Sequence, residues 1–213
     1  MPGRLPISIL VGLAACTWAL VLVVAGSEIG WGFAKPFSVV VGVISVALAG
    51  FDRWLWRWPL VRSVVGRPDL QGTYWGVIRS EWLNPDGGQK PEPIPAAVVI
   101  RQTYTTTTLT LFTAESSSTT IAAALYEGPD GRFAVAGLYR NEPRLPLQKQ
   151  SRMHHGGIRL HLAGTGTDTR LDGNYWTDRS THGEMDLVRI SRLRASDFTE
   201  ARAVALTQRS SAG

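Results

Sequence analysis

The sequence predicts a membrane α plus all-β protein, with two N-terminal transmembrane helices followed by a small antiparallel eight-stranded β-barrel. Three observations predict it. Two runs in the first sixty residues are almost free of charge, the apolar runs after Pro68 become short and alternate with polar residues, and Gly/Pro/Asp-rich turn signals separate those short runs. The 213 residues thus divide into a two-helix anchor at 1–62, a β-barrel at 63–190 and a C-terminal tail at 191–213.

Residues 5–27 hold no charged side chain, and 23 residues of helix suffice to cross the hydrocarbon core of a bilayer. A second uncharged run covers 36–51. Trp31 and Phe33 extend it on one side and DRWLWRWP on the other, with Lys35, Arg53 and Arg57 long enough to snorkel to headgroups. Backbone groups in lipid must be bonded internally, so two helices joined around 28–34 form the economical arrangement. Arg4 precedes the first span and Arg53, Arg57, Arg62 and Arg67 follow the second, whereas the connecting loop offers only Lys35. The positive-inside rule then puts both termini of this two-pass anchor in the cytoplasm. Trp54, Trp56 and Trp58 would form an aromatic belt at that interface. The alternative is a signal peptide cleaved near Val24-Ala25-Gly26, but the run exceeds a usual signal core and a single Arg precedes it.

After Pro68 the runs are rich in Thr, Val, Ile and Tyr, which suit a pleated, half-buried surface. Eight strands are expected at 72–82, 96–104, 107–113, 116–126, 132–141, 154–163, 170–179 and 182–190. NPDGG, EGPDG and GTGTD mark turns between them. No helical period intervenes, which excludes crossover connections and a parallel sheet and leaves an up-and-down barrel or a sandwich. In the tail, Ser196-Asp197 before FTEARAVAL is a capping pattern for a short helix at most, read as a surface appendage rather than a site.

The net charge of +5 first points to nucleic acid. Its distribution removes that reading. Residues 1–68 carry six basic and two acidic side chains, 69–190 twelve and thirteen, and 191–213 four and two. The barrel segment is near neutral, which argues against DNA or long RNA, whose binding needs many cations. The lone Cys16 excludes an intramolecular disulfide, a thiolate zinc site and a CxxC motif. His155 and His161 share a strand face but lie roughly 20 Å apart along it, too far to share a metal. No HExxH, GxSxG or Walker A pattern occurs, and Glu184 and Asp186 read as a solvated outer face, so neither catalytic residues nor a metal or cofactor are expected.

Side-chain parity is more informative. The apolar face of each strand should point into the barrel: Phe133 and Val135, then Ile158, Leu160 and Leu162, then Leu171, then Met185 and Leu187. Continuing that parity reaches Tyr139 and Asn141 on the fifth strand, His154 on the sixth, and Tyr175, Thr177 and Arg179 on the seventh. Alternating strand directions bring these residues to one rim. Ser116 and Ser118 reach the same mouth, although the fourth strand is ambiguous because Ile121 and Leu125 share parity with Ser117. Gln102 and Tyr104 point inward from the opposite rim. Aromatic faces, amides, hydroxyls and one arginine suit a small ligand with stacking bases and phosphates. A lipocalin-like carrier of an apolar molecule, and a structural module assembling through an exposed barrel edge, are the competing readings.

The order of two membrane helices, GTYWG (72–76), VVIRQTY (98–104), SSS (116–118), YRN (139–141), HHGG (154–157) and GNYWTDRSTHGEMDL (173–187) resembles the SMODS-associating two-transmembrane, β-strand-rich effectors of the bacterial CBASS anti-phage systems. The last block is the most specific. The resemblance implies a non-enzymatic receptor in the bacterial inner membrane. Its cytoplasmic barrel would bind a cyclic di- or oligonucleotide made by a CD-NTase, homo-oligomerise, and drive its helices to disrupt the lipid bilayer and abort infection. The ligand-binding residues it implies are Gln102, Tyr104, Ser116, Ser118, Tyr139, Asn141, His154, Tyr175, Thr177 and Arg179. The duplicated His154-His155 offers two registers, and parity selects His154.

Overall fold

A computed structural model describes residues 12, 15, 16, 19, 23, 31–82, 90–148, 152–164 and 168–211. The chain forms two compact units, Met1–Arg67 and Pro68–Gly213.

In the first unit, helix α1 (Trp31–Arg53) is followed by a 3-10 turn (Leu55–Arg57) and a short helix α2 (Pro59–Val65). Pro59 opens α2, where its missing N–H costs nothing. Gly66 ends it at φ 65°, and its N–H donates to Arg62 O. The expected belt of three tryptophans is corrected: Trp54 and Trp58 are exposed while Trp56 is buried. Every second residue shares a face on a strand, not on a 3-10 turn with three residues per turn. Among the described residues no helix is long and apolar enough to cross a membrane. The first expected span, 5–27, lies outside the described residues except for Gly12, Ala15, Cys16, Ala19 and Val23, which are helical.

The second unit is an eight-stranded antiparallel barrel: β1 (Gly72–Ser80), β2 (Ile94–Gln102), β3 (Thr107–Thr113), β4 (Ser116–Glu127), β5 (Phe133–Pro143), β6 (His154–Ala163), β7 (Arg170–Thr177) and β8 (His182–Ser191). Each strand pairs with its sequence neighbours and β1 pairs with β8, which closes the barrel. Closure decides between barrel and sandwich. Each strand thus has two neighbours, although β3 and β4 pair only through Thr110–Phe112 and Ser117–Thr119.

The interior is filled. Tyr74, Val98, Ile100, Val135, Leu160, Leu171, Met185 and Leu187 form one buried cluster. Each such aliphatic side chain contributes about 1.5–3 kcal/mol when removed from water. The ambiguity on β4 is resolved by a bulge between Thr120 and Ala122. The extra residue, Ile121, points to solvent at 67% exposure, and parity flips across it. Ser118 and Leu125 therefore both reach the interior although their spacing is odd.

One end of the barrel is plugged. The N–H of Leu70 donates to Gln102 Oε1 at 2.8 Å, Gln102 Nε2 donates to Pro68 O at 3.0 Å, and the Tyr74 hydroxyl donates to Leu70 O at 3.0 Å. Buried Arg189 donates to Asp69 O at 3.0 Å and to Thr169 Oγ1 at 2.9 Å. Burial pushes the Tyr74 hydroxyl up to about 12, with the opposing charge of Arg189 a smaller effect.

The tail also departs from expectation. Helix α3 (Phe198–Ser211) has 14 residues, capped where Glu200 N–H donates to Asp197 Oδ1 and Ser196 N–H donates to Glu200 Oε2. Ala201 of the helix and Ala195 just before it are buried against Ala97 and Val99, the outward residues of β2. Small residues on both sides allow this close approach, so the tail is a packed helix and not the short surface appendage expected.

Candidate functional site at the open end of the barrel

The end opposite the plug gathers the last residues of β5 and β7 and the first residues of β4 and β6, as the registers require. A cavity of about 950 Å³ opens there. Ser116, Ser118, Tyr139, Asn141, His154, Tyr175 and Thr177 all line it. Seven of the ten residues expected from sequence thus meet at one place.

Their arrangement follows from strand pairing. Ser118, Asn141 and His154 occupy one cross-strand row on β4, β5 and β6. The Ser118 hydroxyl donates to Asn141 Oδ1 at 2.8 Å, and both residues are buried. His154 Nδ1 lies 3.2 Å from Arg152 O and 3.5 Å from Asn141 Nδ2. A single Nδ1 cannot donate to the carbonyl and accept from the amide at once. The shorter contact favours a protonated Nδ1, which leaves the Asn141 amide as an available donor.

Tyr139 and Tyr175 stand beside glycines. Gly156 is directly opposite Tyr139, and a Cβ there would fall 2.5 Å from the Tyr139 ring. Gly183 is opposite Tyr175, where a Cβ would fall 2.8 Å from its Cε1. The glycines of HHGG and THGEM therefore make room for the two aromatic side chains. Burial pushes the Tyr139 hydroxyl up to about 12, with Tyr175 and Asp178 adding to the shift. At neutral pH it is an intact phenol, a group able to donate a hydrogen bond.

The β7–β8 turn closes the rim. Thr177 and Thr181 hydroxyls lie 2.6 Å apart, and Thr177 N–H donates to Thr181 O at 2.9 Å. Asp178 anchors the turn to β6, its carboxylate accepting from His155 N–H at 3.0 Å and lying 3.7 Å from His155 Nδ1. His155 is therefore an outer residue and His154 the one on the cavity. Arg179 sits in this turn, exposed beside the cavity rather than lining it, and its N–H donates to Thr177 Oγ1.

Gln102 and Tyr104 do not belong to this constellation. Gln102 is engaged at the plugged end, and Tyr104 is in the β2–β3 turn beside it. The nine residues of β2 separate them from the open end by roughly 25 Å. Parity puts both at the opposite rim, and that rim is closed by the bonds of Leu70, Gln102 and Tyr74.

Residues it missed include Thr181, Leu111 and Glu92, and Phe198 and Arg202 of α3, all lining the cavity. Only Thr181 carried a signal, inside the GNYWTDRSTHGEMDL block. The filled interior also weighs against a lipocalin-like carrier, because the open volume is at a polar mouth instead of along a dry core. Among the described residues no group of three His, Cys, Asp or Glu is placed to hold a metal ion.

Residues 65–189 match the family model described as Cap15, cyclic dinucleotide receptor domain. The chain is also 26% identical over 163 residues to CD-NTase-associated protein 15 of Staphylococcus schleiferi, an alignment covering 76% of this chain and 82% of that protein.

Proposed function

The chain belongs to the Cap15 cyclic dinucleotide receptor domain family, and from that premise we propose that its barrel is a non-enzymatic sensor that binds a cyclic dinucleotide at the open end. The observation that carries this reading is the convergence of seven polar and aromatic side chains from β4 to β7 on one cavity of about 950 Å³. Tyr139 and Tyr175 supply faces on which bases stack, each such contact worth about 1–3 kcal/mol. Asn141, Ser118 and Thr177 supply amide and hydroxyl groups for base edges and ribose, and Arg179 in the flanking turn reaches phosphate.

In the fuller reading, the ligand comes from a CD-NTase in anti-phage defence. The near-charge-free runs at 5–27 and 36–51 anchor the protein in the bacterial inner membrane with both termini cytoplasmic. Ligand binding favours an assembled state for which the ligand has higher affinity, and assembly brings the anchors together to breach the bilayer. No enzymatic step or cofactor is involved.

Titration calorimetry with 3′,3′- and 2′,3′-linked cyclic dinucleotides tests the sensor. Saturable binding that Asn141→Ala and Tyr175→Ala each weaken about tenfold or more is the expected result. No binding to any member of the panel refutes it. Dye release from anionic vesicles on addition of the binding nucleotide tests the membrane step, and intact vesicles would refute that part alone.

A further inference from the structure

We infer that the C-terminal helix α3 forms one wall of the ligand site and that Arg202 is a phosphate-contacting residue. This rests on the cyclic-dinucleotide reading above and extends it beyond residues 65–189, the part of the chain that matches the receptor family. Neither the resemblance nor the strand pattern assigns a role to this helix.

The first observation is the path of the cavity. It is lined by both Val77 and Ile78, consecutive residues of β1. Consecutive residues of a strand point to opposite faces, so the cavity passes from the barrel interior over the open rim to the outer surface. There Trp75 and Val77 of β1 face α3, which contributes Phe198, Arg202, Ala205 and Leu206. Their spacing of four, three and one places them on a single stripe of the helix.

The second observation is that α3 is held in place. The buried Thr73 hydroxyl accepts from Ala195 N–H at 2.9 Å and donates to Leu193 O at 2.7 Å, tying β1 to the segment that leads into the helix. Phe198 packs on Trp75 with ring centroids 5.4 Å apart. At the far end Gln208 Nε2 donates to Ile190 O. Buried Ala201 and Ala205 lie between these anchors. A helix so fixed presents Arg202 to the cavity at a defined place.

The third observation is charge. Among the described lining residues Arg202 is the one Lys or Arg, whereas Glu92 and Glu115 are acidic. A cyclic dinucleotide carries two phosphodiester anions on a rigid ring. Arg202 borders the cavity from α3, which packs on the outer face of the barrel, while Thr177 and Thr181, the residues on either side of the turn that carries Arg179, line it from β7 and β8. Among the described residues no carboxylate forms an ion pair with Arg202. Its guanidinium is therefore available for bidentate pairing with a phosphate.

The test uses the full-length protein in detergent and the tightest-binding member of the cyclic dinucleotide panel. Arg202→Ala should weaken binding about tenfold and Arg202→Glu more, while Arg202→Lys recovers part of the loss. The deficit of Arg202→Ala should narrow as salt rises from low to high concentration, because a partly exposed ion pair is screened. The melting temperature without ligand should not change, since Arg202 is exposed. Affinities of Arg202→Ala and Arg202→Glu within twofold of the parent, with Asn141→Ala still impaired, would overturn the role of Arg202 and leave the sensor reading standing. A drop in ligand-free melting temperature with unchanged affinity would also overturn it, as a merely structural effect. Absence of binding by the parent protein would remove the sensor reading and this inference with it.

Discussion

Replacing Gly156 with alanine adds one methyl group at the point where the site is most tightly built. The new Cβ would fall 2.4 Å from Trp176 O and 2.5 Å from Cζ and the hydroxyl oxygen of Tyr139. Ordinary contact requires about 3.5 Å or more, so the strand or the ring must move by about 1 Å. The Trp176 carbonyl belongs to the β6–β7 pairing and yields little, because Gly156 pairs with Thr177 in the closed barrel. The Tyr139 ring is therefore displaced out of its place over the glycine. Overpacking of this kind costs about 1–3 kcal/mol, which for a unit of this size lowers the melting temperature by roughly 3–10 °C. If Tyr139 stacks on a base, its displacement removes about 1–3 kcal/mol of binding, or roughly 5- to 150-fold in affinity. Differential scanning fluorimetry and calorimetric titration read the two effects separately. A double-mutant cycle with Tyr139→Ala makes the test specific: the affinity loss from Gly156→Ala should vanish in the Tyr139→Ala background, while part of the stability loss persists through the Trp176 carbonyl. Wild-type melting temperature and affinity in Gly156→Ala would refute the reasoning, as would an affinity loss that adds fully to that of Tyr139→Ala.

Three further outcomes follow from the same contacts. Arg189→Ala removes the donor that serves Asp69 O and Thr169 Oγ1 at the plugged end and should cost about 2–4 kcal/mol in chemical denaturation, with nucleotide affinity at the open end unchanged; equal loss of both would contradict the separation of the two ends. Tyr74 and Tyr139 have folded-state values raised from 10.0 to about 12, so the stability that their burial as neutral phenols contributes is fully present below about pH 10 and is lost as pH rises towards 12. Absorbance titration at alkaline pH should show two late-ionising tyrosines, one of which disappears in Tyr139→Phe; ionisation of both near pH 10 in the folded protein would refute their burial. Thr73→Val removes the hydroxyl that serves both Ala195 N–H and Leu193 O, and limited proteolysis between β8 and α3 should accelerate several-fold, whereas an unchanged cleavage rate would show that α3 docks without it.

Much of the barrel was legible because strand chemistry has a period of two. Inward residues on β5 to β8 can be read from local alternation, and the same alternation carries Tyr139, Asn141, His154, Tyr175 and Thr177 to one rim, where they line a common cavity. Alternation failed where the backbone adds a residue: the bulge at Ile121 reverses parity within β4, and nothing in SSSTTIAAALY distinguishes it from an unbroken strand. It also failed for Gln102, whose inward parity was right but whose amide is engaged by Leu70 and Pro68. The role of Gly156 and Gly183 was hidden because each glycine serves a tyrosine on a neighbouring strand. The docking of the tail is hidden from local sequence because its partner surface, Ala97 and Val99, lies about a hundred residues earlier.

By itself the sequence determined that eight strands follow Pro68, their ends to within two residues, and which side chains share a face on β5 to β8, all consequences of spacing within about ten residues. It also determined that the excess positive charge lies outside the barrel segment. Only the tertiary structure decided that β1 closes on β8, that one end is plugged and the other open, and that α3 forms a wall of the cavity. Those outcomes depend on contacts between residues 32 to 122 positions apart, as in Leu70 with Gln102 and Thr73 with Ala195. Local periodicity carries no information about such pairs, since a strand offers the same alternating face whichever neighbour it meets.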